Sequence, residues 1–315
     1  MHALVTGSAG FLGSRLTREL TSRGHRVVGV DNFLTGSLEN WREFAASDRS
    51  ELVVADVAVE LPDVRDIDVV FHFASPASPR HYAAYPLETM RVNAAGLERC
   101  CDYALVRNAR LIFASTSEIY GDPLVHPQSE TYWGNVNSIG PRACYDESKR
   151  YGEALLTSYR QTYGLDGRIV RIFNTYGPGM RSDDGRMVPA FVTSVLRGEP
   201  MPIYGGGGQT RSLCYVDDLV RGVVDYATLA DPAETVMNLG NDEEYTVLEI
   251  AELVSSVAGV ALRTVDLPLP TDDPSRRCPD LRRARALIGW QPATSLREGV
   301  ARTIAWYKAA SCVRG

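Results

Sequence analysis

The sequence predicts an α/β protein built on a doubly wound parallel sheet, with a smaller, loop-rich α/β lobe that would hold substrate. Three observations predict it: β-rich runs alternate with amphipathic stretches in the first half, glycines fall where helices should end, and the alternation stops after Phe173. A chain of 315 residues is long enough for about two domains. With 44% apolar residues, 23% charged residues and a formal charge of -6, it is neither disordered nor collagen-like.

Strands are expected at 3–6, 26–30, 51–54, 69–73, 110–114 and 168–173, each a short β-rich run. Helices fit between them at 11–23, 86–107 and 142–163, and Gly24 and Gly164 suit the left-handed position that ends a helix. Beyond Phe173, glycine- and proline-rich segments flank a short helix at 188–197. A helix at 216–229 and a strand at 236–239 are expected to return to the sheet. The sheet domain therefore reads as 1–175 plus about 212–240, and the second lobe as about 176–211 plus 241–315. Thr246 with Glu249 and Ser295 with Glu298 have capping-box spacing at two later helix starts.

Composition also limits the partners. No block of Lys or Arg offers the footprint that a phosphate backbone requires, so nucleic acid is not expected. No run approaches 18 apolar residues and 1–6 reads as a strand, which leads to the expectation of a cytoplasmic protein without a membrane partner. The six cysteines form no CxxC pair and have no histidine at metal-ligand spacing, so free thiols and no metal are expected.

Gly7, Gly10 and Gly13 follow the first strand and open the first helix, where backbone N–H groups and the helix dipole can meet a pyrophosphate. Asp31 ends the second strand, placed to accept both ribose hydroxyls of an adenosine. Its charge would repel a 2'-phosphate, and Asn32 and Phe33 supply no compensating arginine, so NAD is expected rather than NADP. Strand, turn, helix and acid in this order make the sheet Rossmann-like. Asp56, after the third strand, suits either an adenine amino group or a helix N-cap.

Tyr145 and Lys149 lie one helical turn apart on one face. Only two of the 33 basic residues are lysines, and chance placement gives about 0.1 such pairs in the chain. A lysine within about 4 Å stabilises a phenolate by up to about 4 kcal/mol at an effective dielectric near 20, which would draw Tyr145 toward neutrality as a general base. Thr116, after the fifth strand, can share the alcohol proton. Cys144 and His81 suggest a nucleophile pair, but no third group orients them.

The Gly-x-x-Gly-x-x-Gly spacing resembles the extended short-chain dehydrogenase/reductase family. Within its sugar-nucleotide branch, the segments 74–79, 81–82, 126–130, 132–134, 140–145, 171–177, 209–211 and 273–280 resemble the UDP-glucuronate decarboxylases (UDP-xylose synthases). The resemblance runs over essentially the whole chain. It implies catalytic roles for Thr116, Ser117, Glu118, Tyr145, Lys149 and Arg277. It implies a cofactor shell of Gly7, Gly10, Phe11, Gly13, Asp31, Asn32, Phe33, Gly36, Asp56, Val57, Ala74, Tyr145 and Lys149. Substrate contacts would come from Pro79, Tyr82, Glu118, Asn174, Arg181, Tyr204, Arg211 and Arg277, with Asn174 and Arg211 on the diphosphate and ribose side of UDP.

Two positions depart from that pattern: Gly179 stands where arginine is usual, which would shift a contact to Arg181, and Cys278 replaces a usual lysine. The implied reaction oxidises C4 to a ketone β to the C6 carboxylate, loses CO2 and returns hydride to give UDP-xylose, with some 4-keto pentose released. Arg277 would hold the carboxylate or help reprotonate C5; Glu118 would disfavour the anionic ground state or orient a water. The competing readings are a UDP-hexuronate 4-epimerase, a 4,6-dehydratase, disfavoured because Ser117 stands where the leaving-group acid is needed, and a non-enzymatic NAD sensor. The resemblance also implies a homodimer through the helices at 86–107 and 142–163.

Overall fold

The computed structural model describes residues 1–269 and 276–313; residues 273–275 of the motif ending at Asp280 lie outside the described residues. Strands β1 (His2–Thr6), β2 (Arg26–Asp31), β3 (Ser50–Val54), β4 (Val69–His72), β5 (Arg110–Thr116), β6 (Gly167–Ile172) and β7 (Val236–Leu239) form a parallel sheet in the order β3-β2-β1-β4-β5-β6-β7. Strands covered on both faces need continuous apolar runs, and β1, β2 and β4 are buried along nearly their whole length. The order reverses between β1 and β4, which opens a crevice beyond their carboxyl ends.

Helix α1 (Phe11–Ser22) starts at Gly10 and hands over to Gly24, whose φ of 84° suits the turn that only glycine adopts at little cost. The helix expected at 86–107 is interrupted: Pro86–Arg91 and α2 (Leu97–Arg107) flank a π-turn at Val92–Gly96. Long-range polar contacts cause the interruption. The His72 Nε2 lies 3.1 Å from the Val92 carbonyl, and the buried Asn93 amide donates to Thr89 O, Ser75 Oγ and Ser148 Oγ. Helix α3 (Ala143–Tyr163) ends at Gly164 in the left-handed conformation. Helix α4 (Val216–Thr228) covers the sheet beside α1, tied to it by the Arg15–Asp217 and Arg23–Asp225 ion pairs.

Short sheets make up the remainder. Thr175–Tyr176 pairs with Cys214–Tyr215, Met201–Tyr204 pairs with Thr264–Leu267, and Thr210–Ser212 lies between Glu244–Thr246 and Arg276–Arg277. One apolar core runs from Val5, Phe71 and Val170 of the sheet to Phe191, Ile203 and Ile250 beyond it. The capping box of Thr246 and Glu249 is formed in both directions, whereas for Ser295 the bond from the Glu298 N–H is present. Among the described residues no helix is long and apolar enough to cross a membrane.

Candidate active site

The crevice holds a cavity of about 440 Å³ lined by Gly7, Gly10, Phe11, Gly13, Asp31, Asn32, Gly36, Asp56, Val57 and Ala74. A Cβ on Gly7 would lie 2.8 Å from the Ala74 backbone and one on Gly13 2.0 Å from Gly7 O, so the turn closes only with glycine. No side chain caps α1, which leaves its first-turn N–H groups to meet an anion. The Asp31 carboxylate accepts from the N–H groups of Ala9 at 2.9 Å and Phe33 at 2.8 Å. Each oxygen accepts one of these bonds and keeps further acceptor capacity, and the residue lines the cavity. Burial raises its pKa, and those two backbone bonds oppose the rise. Asp56 caps a turn rather than a helix, accepting from Ala58 N–H at 2.8 Å and from Asn32 Nδ2 at 3.2 Å. Phe33 adopts φ 58° and serves through its backbone N–H; it does not line the cavity. Turn, helix end and acid fit a dinucleotide.

Tyr145 and Lys149 are both buried on α3, and Tyr145 is hydrogen-bonded to the Thr116 hydroxyl. The ring of Tyr82 lies parallel to that of Tyr145 at 5.2 Å, carried by the short helix that begins at Pro79. One expectation is corrected here. The Lys149 ammonium donates to Ala114 O at 2.7 Å and lies 5.9 Å from the Tyr145 ring centre, yet the phenol is not drawn toward neutrality. Burial drives Lys149 down to about 7, against the pull of Glu153. Burial also pushes the Tyr145 phenol above its ordinary range, and the Thr116 bond only partly opposes it.

Glu118 follows Thr116 in a single 3-10 turn, Ser117–Tyr120, and its own N–H donates to the Thr116 hydroxyl that caps the turn. Arg277 donates to one Glu118 oxygen and Arg142 to the other at 2.9 Å. Burial alone would raise this carboxyl, but Arg277, Arg142 and, more weakly, Arg211 hold it below its ordinary value. Arg211 is brought in by the strand register that pairs it with Arg277. Arg277 is 3% exposed and also donates to Gly121 O at 3.1 Å, while its Nε has no hydrogen-bond partner. Beside this cluster, burial and the Glu118 charge push Asp146 up to about 7.

The structure thus gathers Thr116, Ser117, Glu118, Tyr145, Tyr82, Arg211 and Arg277 around one end of the sheet. Arg181 lines the cavity, bound to Asp183 through two N–H groups. Gly179 has φ 94° and packs against Phe44, a conformation and contact that a longer side chain would strain. Asn174 accepts through its backbone carbonyl from Cys214 N–H, and Tyr204 ends a separate strand pair; neither lines the cavity. Cys144 donates to Tyr82 O at 3.6 Å, and burial raises its thiol, against the direction a nucleophile needs. Sequence reasoning missed Arg142, Asp146 and Arg186. The first two lie inside motifs already singled out, next to Tyr145; Arg186 lines the cavity and lowers the Tyr145 pKa from 41 positions away, where local spacing carries no signal.

A parallel sheet with this strand order, a glycine turn at its switch point and a Tyr-Lys helix beside a Thr define a dinucleotide-dependent enzyme that oxidises an alcohol. The NAD dependent epimerase/dehydratase family model matches residues 3–240, and the chain belongs to that family. It is 45% identical over 304 residues to UDP-glucuronic acid decarboxylase 1 of Danio rerio, covering 96% of this chain and 72% of that protein. It is 46% identical over 308 residues to UDP-glucuronic acid decarboxylase 1 of Arabidopsis thaliana, covering 98% and 70%. Among solved structures it resembles the UDP-glucuronic acid 4-epimerase of Bacillus cereus in complex with UDP-glucuronic acid and NAD, with a TM-score of 0.85, 26% identity and coverage of 98% and 100%.

Proposed function

We propose that this chain is an NAD-dependent UDP-glucuronate decarboxylase, converting UDP-glucuronate to UDP-xylose and CO2. The observation that carries this reading is the arginine cluster: Arg142, Arg211 and Arg277 face the single Glu118 carboxylate beside the Tyr145–Thr116 pair. Their excess positive charge suits a sugar that brings its own carboxylate. NAD, held by the Gly7–Gly13 turn and Asp31, supplies a reversible hydride acceptor when bound. Tyr145 takes the C4 hydroxyl proton with Thr116 sharing it, and Arg186 and Lys149 provide nearby positive charge. With C4 oxidised, the C5–C6 bond breaks, its electrons enter an enolate toward the C4 oxygen, C5 is reprotonated, and C4 is then reduced back by the same hydride while Tyr145 returns the proton to its oxygen, which gives UDP-xylose. Arg277 orients the departing carboxylate, and Glu118 holds Arg277 in place.

The test is product analysis of the NAD-loaded protein given UDP-glucuronate, by mass and NMR. A UDP-pentose with one CO2 per turnover is expected, and Tyr145→Phe should abolish it. Formation of UDP-galacturonate with six carbons retained would instead support the 4-epimerase reading, for which the Bacillus cereus fold is the argument. Identity near 45% to decarboxylases against 26% to that epimerase supports decarboxylation. The assembly inferred here is a homodimer through the Pro86–Arg107 region and α3, supported by the exposed Leu87, Met90 and Tyr151 on those helices.

A further inference from the structure

Behind Arg277, outside the cleft, lies a second cluster of chemistry-bearing side chains. His126 comes from the loop after Gly121, Glu244 begins the strand Glu244–Thr246, and Cys278 directly follows Arg277. Their nitrogen, oxygen and sulfur ligand atoms all lie within 4.8 Å of one another. His126 Nε2 and Glu244 Oε2 are 2.8 Å apart, and Thr210 Oγ1 donates to the other Glu244 oxygen at 2.7 Å, orienting the carboxylate as outer-shell partners orient metal ligands. The Cys278 sulfur is buried, with the Asp242 carbonyl at 3.6 Å. Arg276 approaches Glu244 at 3.6 Å but is more than half exposed and has room to turn away.

One nitrogen, one oxygen and one sulfur form a donor set that suits zinc; calcium and magnesium prefer oxygen alone. Tetrahedral bonds of about 2.0–2.3 Å put ligand atoms about 3.3–3.8 Å apart. The trio must therefore draw in by about 1 Å while the His126–Glu244 hydrogen bond opens by about 0.5 Å, shifts that an exposed histidine on a loop can make. The trio borders an open hollow, which leaves a fourth position to water. Backbone bonds already hold the two segments side by side: Gln128 N–H donates to Cys278 O, and Cys278 N–H donates to Gln128 Oε1, both at 2.9 Å.

We propose that His126, Glu244 and Cys278 form a zinc-binding site with one solvent position, clamping the strand that carries Arg277 to the loop beyond Gly121. Binding exchanges the His126–Glu244 hydrogen bond for bonds to the metal, and the thiol proton of Cys278 passes to solvent as its sulfur coordinates. The test uses the full chain and Co2+ as an optical probe. Titration should give a thiolate-to-cobalt band in the near ultraviolet and the visible absorption of a four-coordinate ion, both saturating at one Co2+ per chain. Cys278→Ser should lose the near-ultraviolet band, and His126→Gln, on the exposed loop, should weaken Co2+ and Zn2+ binding by about tenfold or more with an unchanged far-ultraviolet CD spectrum. Saturating Zn2+ should raise the melting midpoint of the parent protein by about 5 °C and leave both variants unmoved. Both variants should retain turnover in chelator-treated buffer. Identical cobalt spectra for the parent and Cys278→Ser, or an undiminished zinc-induced melting shift in both variants, would overturn the proposal.

Discussion

At Asp146, one residue beyond the phenol, burial and the neighbouring Glu118 raise the carboxyl to about 7 from an ordinary value near 3.8. Between those two values the folded chain keeps a proton that the unfolded chain has released. Folding stability contributed by this group is therefore full below the lower value, falls as pH rises through the window and levels off above about 7. Asp146→Asn should remove that slope, seen as a smaller loss of the denaturation midpoint between pH 4.5 and 7.5 than in the parent; equal losses would mean that Asp146 is ionised throughout. At Tyr145 the expected effect is kinetic. Removing the phenolic oxygen should lower kcat by about 10²–10⁴-fold or more while NAD binding persists, because the cleft residues are untouched.

Helix α3 shows what one element can carry. Its Tyr145–Lys149 spacing was legible because helical periodicity alone puts those two side chains on one face. Glu153, a turn further on, was not legible as part of the site, since its partners come from other strands. Its carboxylate accepts two N–H groups of Arg171 at 2.9 and 2.7 Å and the Ser115 hydroxyl at 2.5 Å, and its charge opposes the fall in the Lys149 pKa. Arg171 in turn donates to the Tyr120 hydroxyl, which donates to Asn238 on β7. Glu153→Ala should destabilise the fold by about 3–5 kcal/mol in chemical denaturation, because a buried guanidinium would lose its counter-charge. A loss under about 1 kcal/mol would show that Arg171 finds water instead. The π-turn at Val92–Gly96 was hidden for a related reason: His72 and Asn93 impose it through contacts that no local pattern records.

For the whole molecule, alternation of strands and helices was enough to read the sheet, because the inner strands β1 and β4 are apolar along nearly their whole length and lie between two layers. The arginine cluster was legible only through resemblance, since strand register, rather than spacing, brings Arg211 and Arg277 to Glu118. His126 and Cys278 were not legible as neighbours at all, since the fold brings them together although no metal-ligand spacing links them in the chain. Light scattering should give about 69 kDa, twice the 34.6 kDa chain, and Leu87→Asp with Tyr151→Asp should halve it. A parent mass near 34.6 kDa would dismiss the dimer.

The route of the chain has a consequence for its birth. The glycine turn, Asp31 and the phenol emerge from the ribosome early, whereas the guanidinium at position 277 arrives after most of the polypeptide has been made. The Glu118–Arg277 pair joins positions 159 residues apart, so it can close only once the last eighth of the polypeptide is being made.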